Sequence, residues 1–191
     1  MQTYLQAIVE DIPFESLPAT WQSFDFRGFS NRKKLFDFQQ QALKNALKVL
    51  YLFYYTYHGA KHDLFNHYQE NGLDENLAYE IKQRGERESV HYLQKYEDSY
   101  PFIEGQISFE YFVNRMSFWM ATGSGKTLVI VKLIELINNL SLQHNLIPKH
   151  DILFLTHRED LIDQFRKHIE EFNEFHYDSR IQLINLKDYE R

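Results

Sequence analysis

The stretch FWMATGSGKTLVIVKLIELI, Phe118 to Ile137, decides how the rest of the chain is read. It opens on an aromatic and apolar run and passes through a turn that contains Gly123 and Gly125. It ends in a run so apolar that a helix built from it must be buried on most sides. A strand feeding a glycine turn that opens a helix is the geometry of a phosphate cradle, because the amides of the turn and of the helix N-terminus converge on one anion. In such a cradle Thr122, Gly123, Ser124 and Gly125 line the phosphates. Lys126 sets its ammonium on the β and γ groups, where it serves binding and catalysis alike, and Thr127 offers its hydroxyl to Mg²⁺. The ligand expected here is therefore ATP with Mg²⁺. The full G-x-x-x-x-G-K-[ST] pattern begins with glycine, where this chain has Met120.

Outward from the turn, MSFWM (116–120) reads as a short strand and TLVIVKLIELINNL as a helix ended by Asn138-Asn139 and the loop to Pro148. ILFL (152–155) reads as a second buried strand, and Arg158 to Phe175 as a second helix. Leu161, Ile162, Phe165, His168, Ile169 and Phe172 fall on one face of that helix. IQLINL (181–186) reads as a third strand. Strands alternating with helices, each strand almost continuously apolar, predict an α/β fold with a parallel sheet and helical crossovers.

Upstream, residues 1–30 read as an irregular lead-in around Pro13, Pro18 and Gly28. Leu35, Phe38, Ala42, Ala46, Val49 and Phe53 then recur at helical spacing and predict a helix over about 36–57. His58-Gly59 stops it. A polar segment follows to about residue 110, helical between Leu73 and Tyr96, with turns at Ser99-Tyr100-Pro101 and Glu104-Gly105-Gln106, and it reads as an insertion. The expected division is a helical N-terminal region over 1–115 and the phosphate-binding part over 116–191.

Composition narrows the class. Hydrophobic residues are 43% and charged residues 25% of the 191, the balance of a soluble globular chain. The absence of cysteine removes disulfides, thiolate zinc sites and thiol nucleophiles, and fits a cytoplasmic setting. No apolar run reaches the ~20 residues of a membrane helix. A formal charge of −6 leaves nucleic-acid binding to a local basic rim rather than to the whole body. His58, His62 and His67 lack the pattern of a metal site and read as surface residues, while the aromatics between Tyr51 and Tyr57 read as core and interface.

ATGSGKT, Ala121 to Thr127, resembles motif I of the superfamily-2 helicases and translocases. FDFQQQALKNAL resembles their Q-motif, which implies that Gln39, after the aromatic Phe38, reads the adenine edge; an amide has the donor and acceptor for that. ILFLTHREDLIDQF resembles motif Ia, in which Thr156, His157 and Arg158 would grip nucleic-acid phosphates. Together with FEYFVNRMSFWMATGSGKTLVIVKLIELI, these stretches look like the N-terminal part of the helicase-like restriction subunits of type III systems. The resemblance implies a P-loop NTPase with part of a RecA-like sheet, double-stranded DNA as substrate and a DNA methyltransferase as partner subunit.

ATP hydrolysis in this class needs an acid pair at the end of another strand. After ILFL the acids Glu159 and Asp160 fall inside the next helix, and after INLK Asp188 is followed by Tyr189 rather than Glu. No arginine finger is evident. The chain is therefore expected to bind nucleotide better than it hydrolyses it. A catalytically silent, truncated product and a stand-alone P-loop NTPase of another lineage are the alternatives.

Overall fold

A computed structural model describes residues 4–80, 100–101, 103–156 and 158–189. The chain divides into two compact units, one made of Met1–Pro13 with Lys48–Ser117 and the other of Phe14–Leu47 with Phe118–Arg191. Residues 14–47 thus group with 118–191 rather than with the rest of 1–115.

In the first unit the segment expected to be irregular contains helix α1, Leu5–Asp11, which buries Ile8 and Val9. These two pack in one cluster with Leu52, Leu64, Phe65, Tyr68, Leu73 and Val113. The buried Lys48 donates from Nζ to the carbonyls of Val9 (3.1 Å) and Glu10 (3.3 Å). A cation there satisfies the carbonyls that the last turn of a helix leaves open.

The second unit holds helix α2, Ala19–Gln22, capped by Pro18 at φ −57°, a backbone angle already suited to starting a helix. The expected helix over 36–57 is α3, Asp37–Leu50, which runs on as a π-helix over Tyr51–Thr56. The buried stripe keeps Leu35 and Ala46 of the expected one, but takes Gln39 and Leu43 in place of Phe38 and Ala42. Leu43, Ala46 and Leu47 are inside, whereas Phe38 is 51% exposed and lies flat on Phe36 at 5.9 Å. Periodicity fixed the helix, but not which side turns inward, because a polar residue, Gln39, takes a core position.

Back in the first unit, His58 (φ 50°) and Gly59 reverse the chain into α4, Lys61–Glu70. The helix expected from Leu73 gives way to a strand at its start: β1, Ala78–Glu80, pairs antiparallel with β2, Gln106–Ser108. Residues 81–96 of the expected helix lie outside the described residues. A turn through Glu104 (φ 52°) and Gly105 leads into β2.

α5, Lys126–Gln143, begins where the glycine turn ends and runs straight through Asn138-Asn139, since Leu140 and Ser141 beyond them are buried. α6, Glu159–Phe175, turns Phe165, Ile169 and Phe172 inward, and the two helices pack on each other. Phe29 lies 5.6 Å from Phe172, and Ser30 Oγ donates to Glu171 at 2.7 Å, which ties residues 29–30 to α6.

The expected parallel sheet is not seen among the described residues. Among the described residues the only sheet is β1–β2, and 116–120, 152–155 and 181–185 belong to no strand or helix. Trp119 is 95% exposed, and Leu153 and Leu155 are also exposed. An apolar run becomes a strand only when a neighbouring backbone takes up its N–H and C=O groups, and period alone does not supply that neighbour.

Two histidines of this unit are half-buried against rings, His168 edge-on to Phe29 and His176 stacked on Phe172. Burial holds His168 below the ordinary histidine value, helped by Lys33, and burial with Lys132 does the same to His176. Burial alone would raise the Glu171 carboxyl, but bonds from Lys33 and Ser30 outweigh it and hold it below its usual range. A histidine with a depressed folded value binds fewer protons folded than unfolded. Its stabilisation is therefore complete above the unfolded value, about 6.5, and is lost as pH falls from there. The melting temperature is expected to drop between pH 7 and pH 5.5, and the His168→Gln/His176→Gln variant should flatten that slope. An unchanged slope would remove these histidines as its cause.

Candidate functional site

The turn before α5 has the glycine conformations of a cradle, although no strand feeds it among the described residues. Gly123 and Gly125 both take the left-handed conformation, at φ 79° and 75°. A Cβ built on Gly123 meets nothing within 4 Å, so its face is open to a ligand, whereas one on Gly125 would lie 2.7 Å from Gln39 Nε2. The turn is closed by Ser124 N–H donating to the Ala121 carbonyl at 3.2 Å. Gly125 is the cap residue of α5, and its carbonyl accepts from Leu128 and Val129. The amides of Lys126 and Thr127 open the helix and have no carbonyl one turn back inside it. They are free to face an anion. Thr122 and Lys126 are exposed, Thr127 is half-buried in the first turn, and the buried Ser124 Oγ has no hydrogen-bond partner.

Lys126 Nζ donates to the carbonyls of Met120 and Ala121, each at 2.9 Å, so the ammonium folds back over the turn. These are bonds from an exposed group, and a phosphate can replace them.

Gln39 is brought to the turn, although it lies 85 positions before Ser124 in the chain. It is 1% exposed, and its Nε2 donates to the Ser124 carbonyl at 2.7 Å. Its Oε1 accepts from the Phe36 amide at 2.8 Å. Both ends of the amide are thus engaged within the protein. The Phe36 bond is half of a capping box, a glutamine at the third helical position reaching back to the amide before the helix. The spacing Phe36-x-x-Gln39 was the signal for it; nothing in the sequence pointed to Ser124. Gln39→Ala would leave two partly buried partners, the Phe36 amide and the Ser124 carbonyl, unmatched. It is expected to destabilise the chain by about 1–3 kcal/mol, read from denaturant unfolding, and a loss well under that range would show that the pair is not structural.

The residues expected to grip nucleic acid lie at the start of α6. Thr156 Oγ1 accepts from the Arg158 amide at 3.3 Å, and His157 lies outside the described residues. The Arg158 guanidinium is exposed and forks onto Asp160: Nε is 3.0 Å from Oδ1, and Nη2 bonds Oδ2. No described contact links Thr156 or Arg158 to the cradle.

A separate open cleft of about 530 Å³ is lined by Ile134, Phe154, Phe165, Ile169, Ile181 and Leu183 among others. No residue of 121–127 borders it, so it is distinct from the glycine turn. Of the remaining sequence candidates, His62 Nδ1 lies 3.1 Å from Glu110 Oε1, and His67 packs against Tyr57 at 5.7 Å. Among the described residues no helix is long and apolar enough to cross a membrane.

Comparisons with curated proteins and with solved structures return no match. A family model does match: that of the type III restriction enzyme, res subunit, over residues 32–191. The matched span takes in Gln39, the cradle and the Thr156–Arg158 segment, and it covers most of the chain. The chain thus belongs to the family of type III restriction enzyme res subunits.

Proposed function

We propose that this chain is the ATP-binding part of an ATP-dependent DNA helicase or translocase subunit of a restriction system. One observation carries the reading: the turn at 121–127, with both glycines left-handed and Lys126 at its end, opens an 18-residue helix within the span matched to the family. The family implies a P-loop NTPase fold. The residues present fit ATP with Mg²⁺. The open face of Gly123 leaves room for the phosphates, and the leading amides of α5 with Lys126 supply positive charge. The Thr127 hydroxyl is the metal ligand the chain offers. Bound ATP would supply, through its hydrolysis, the free energy for movement along DNA.

Within that reading Gln39 exchanges its Ser124 bond for the adenine edge when nucleotide enters, which links base recognition to the position of the turn. Thr156, His157 and Arg158 hold a phosphate of double-stranded DNA, and a DNA methyltransferase is the partner subunit. Residues 116–191 would form the first part of the nucleotide-binding domain and 1–115 its helical N-terminal region.

The expected acid pair favours a second reading, nucleotide binding without turnover. Asp160 is engaged by Arg158, and Asp188 lies in an exposed 3-10 turn, Leu186–Asp188. Equilibrium ATP binding measured beside ATP turnover separates the two. Binding with little turnover is expected; turnover abolished by Lys126→Ala would show that the chain has its own catalytic acids, and no binding would overturn both readings.

A further inference from the structure

Arg158 does not stand open at the start of α6. Its guanidinium is held by a carboxylate two residues on, through Nε to Oδ1 at 3.0 Å and Nη2 to Oδ2. This two-pronged pairing of planar donors with two oxygens is the same one a guanidinium makes with a phosphate. Asp160 also lies in the first turn of α6, where the helix N-terminus favours an anion. Its carboxylate sits below the usual range, held first by the Arg158 bond and also by its own amide and that of Leu161.

We infer that Asp160 is an internal stand-in for phosphate at Arg158, so that a DNA backbone must displace this carboxylate to be gripped there. The inference rests on Arg158 being a DNA contact. Its consequence is that Asp160 sets the affinity of that contact. The neighbouring acids are placed differently: Glu159 is exposed beside the pair, and Asp163 faces Arg166 at 4.0 Å. They repel a phosphate by charge, whereas Asp160 also occupies the donors the phosphate needs.

The test is a double-mutant cycle on binding of a short fluorescein-labelled DNA duplex to the whole chain, read by anisotropy at low and moderate salt. Both side chains are exposed, so the variants are expected to fold, and circular dichroism checks it. Asp160→Asn should tighten binding by roughly threefold to tenfold at low salt, with the gain shrinking as salt rises. Asp163→Asn should give less, since it removes a charge without freeing Arg158. Arg158→Ala should weaken binding, and in that background Asp160→Asn should gain little. If Arg158→Ala weakens binding while Asp160→Asn changes nothing, the DNA contact stands and the role of Asp160 is overturned. An equal gain from Asp160→Asn with and without Arg158 would also overturn it, leaving only a general charge effect. No loss from Arg158→Ala would overturn the contact and the inference together.

Discussion

Lys126→Ala is expected to weaken ATP binding by roughly 10- to 100-fold while leaving the fold intact. An ammonium-to-phosphate bond contributes about 1.5–3 kcal/mol, and each ~1.4 kcal/mol is tenfold in affinity. The fold should survive because Lys126 is exposed and its only recorded partners are the carbonyls of Met120 and Ala121, which water can reach once the side chain is gone. Titration calorimetry with Mg·ATP reads the affinity and thermal melting reads the fold. Lys126→Arg should be intermediate, because a planar fork replaces a compact charge within a narrow turn. Unchanged ATP affinity in Lys126→Ala would mean that the glycine turn is not where nucleotide binds.

A different lysine should govern stability. Lys132 lies on α5, 1% exposed, with its Nζ 2.7 Å from Glu135 Oε2 and 5.7 Å from the Phe172 ring centre. Removing one member of a buried pair strands the other charge, at about 3–5 kcal/mol. Lys132→Ala is therefore expected to lower stability by that amount in denaturant unfolding. His176, whose Nδ1 is 3.9 Å from Glu135 Oε1, is then the remaining partner of the carboxylate. Replacing both charges, as Lys132→Met/Glu135→Leu, should recover most of the loss, since no charge is left buried alone. A loss under about 1 kcal/mol in Lys132→Ala would show that Glu135 is well solvated without its lysine.

The helices were legible in the sequence where burial follows a period. Val129, Leu136 and Leu140 recur along α5, and Phe165, Ile169 and Phe172 along α6, so both elements could be placed, although Asn138-Asn139 did not end the first. Asparagine is a weak helix former rather than a stop, and buried Leu140 and Ser141 override it. Pro18 was read as a mark of irregular chain, yet it begins a helix. Residues whose partners are remote in sequence were harder to read. Gln39 was picked out for its amide, but its burial against Ser124 depends on a contact across 85 residues. Phe38, beside it, has the same helical spacing as buried Leu35 and Ala46 and yet is exposed.

The expected strands failed for a related reason. ILFL and IQLINL have the composition of buried strands, but a ladder belongs to two backbones, and the sequence of one run says nothing about the other. The antiparallel pair Ala78–Glu80 with Gln106–Ser108 was missed because it starts in a stretch rich in helix formers. The glycine turn, by contrast, was readable in full. Its conformation follows from Gly123 and Gly125 locally, with no remote partner required.

The most direct measurement is amide hydrogen exchange of the peptide spanning Thr122 to Leu128, with and without Mg·ATP. If the turn and the first amides of α5 hold the phosphates, exchange in this peptide slows on addition of ATP, and the slowing disappears in Lys126→Ala. No change there at ATP concentrations that saturate binding, or protection confined to other segments, would contradict the assignment of the nucleotide site.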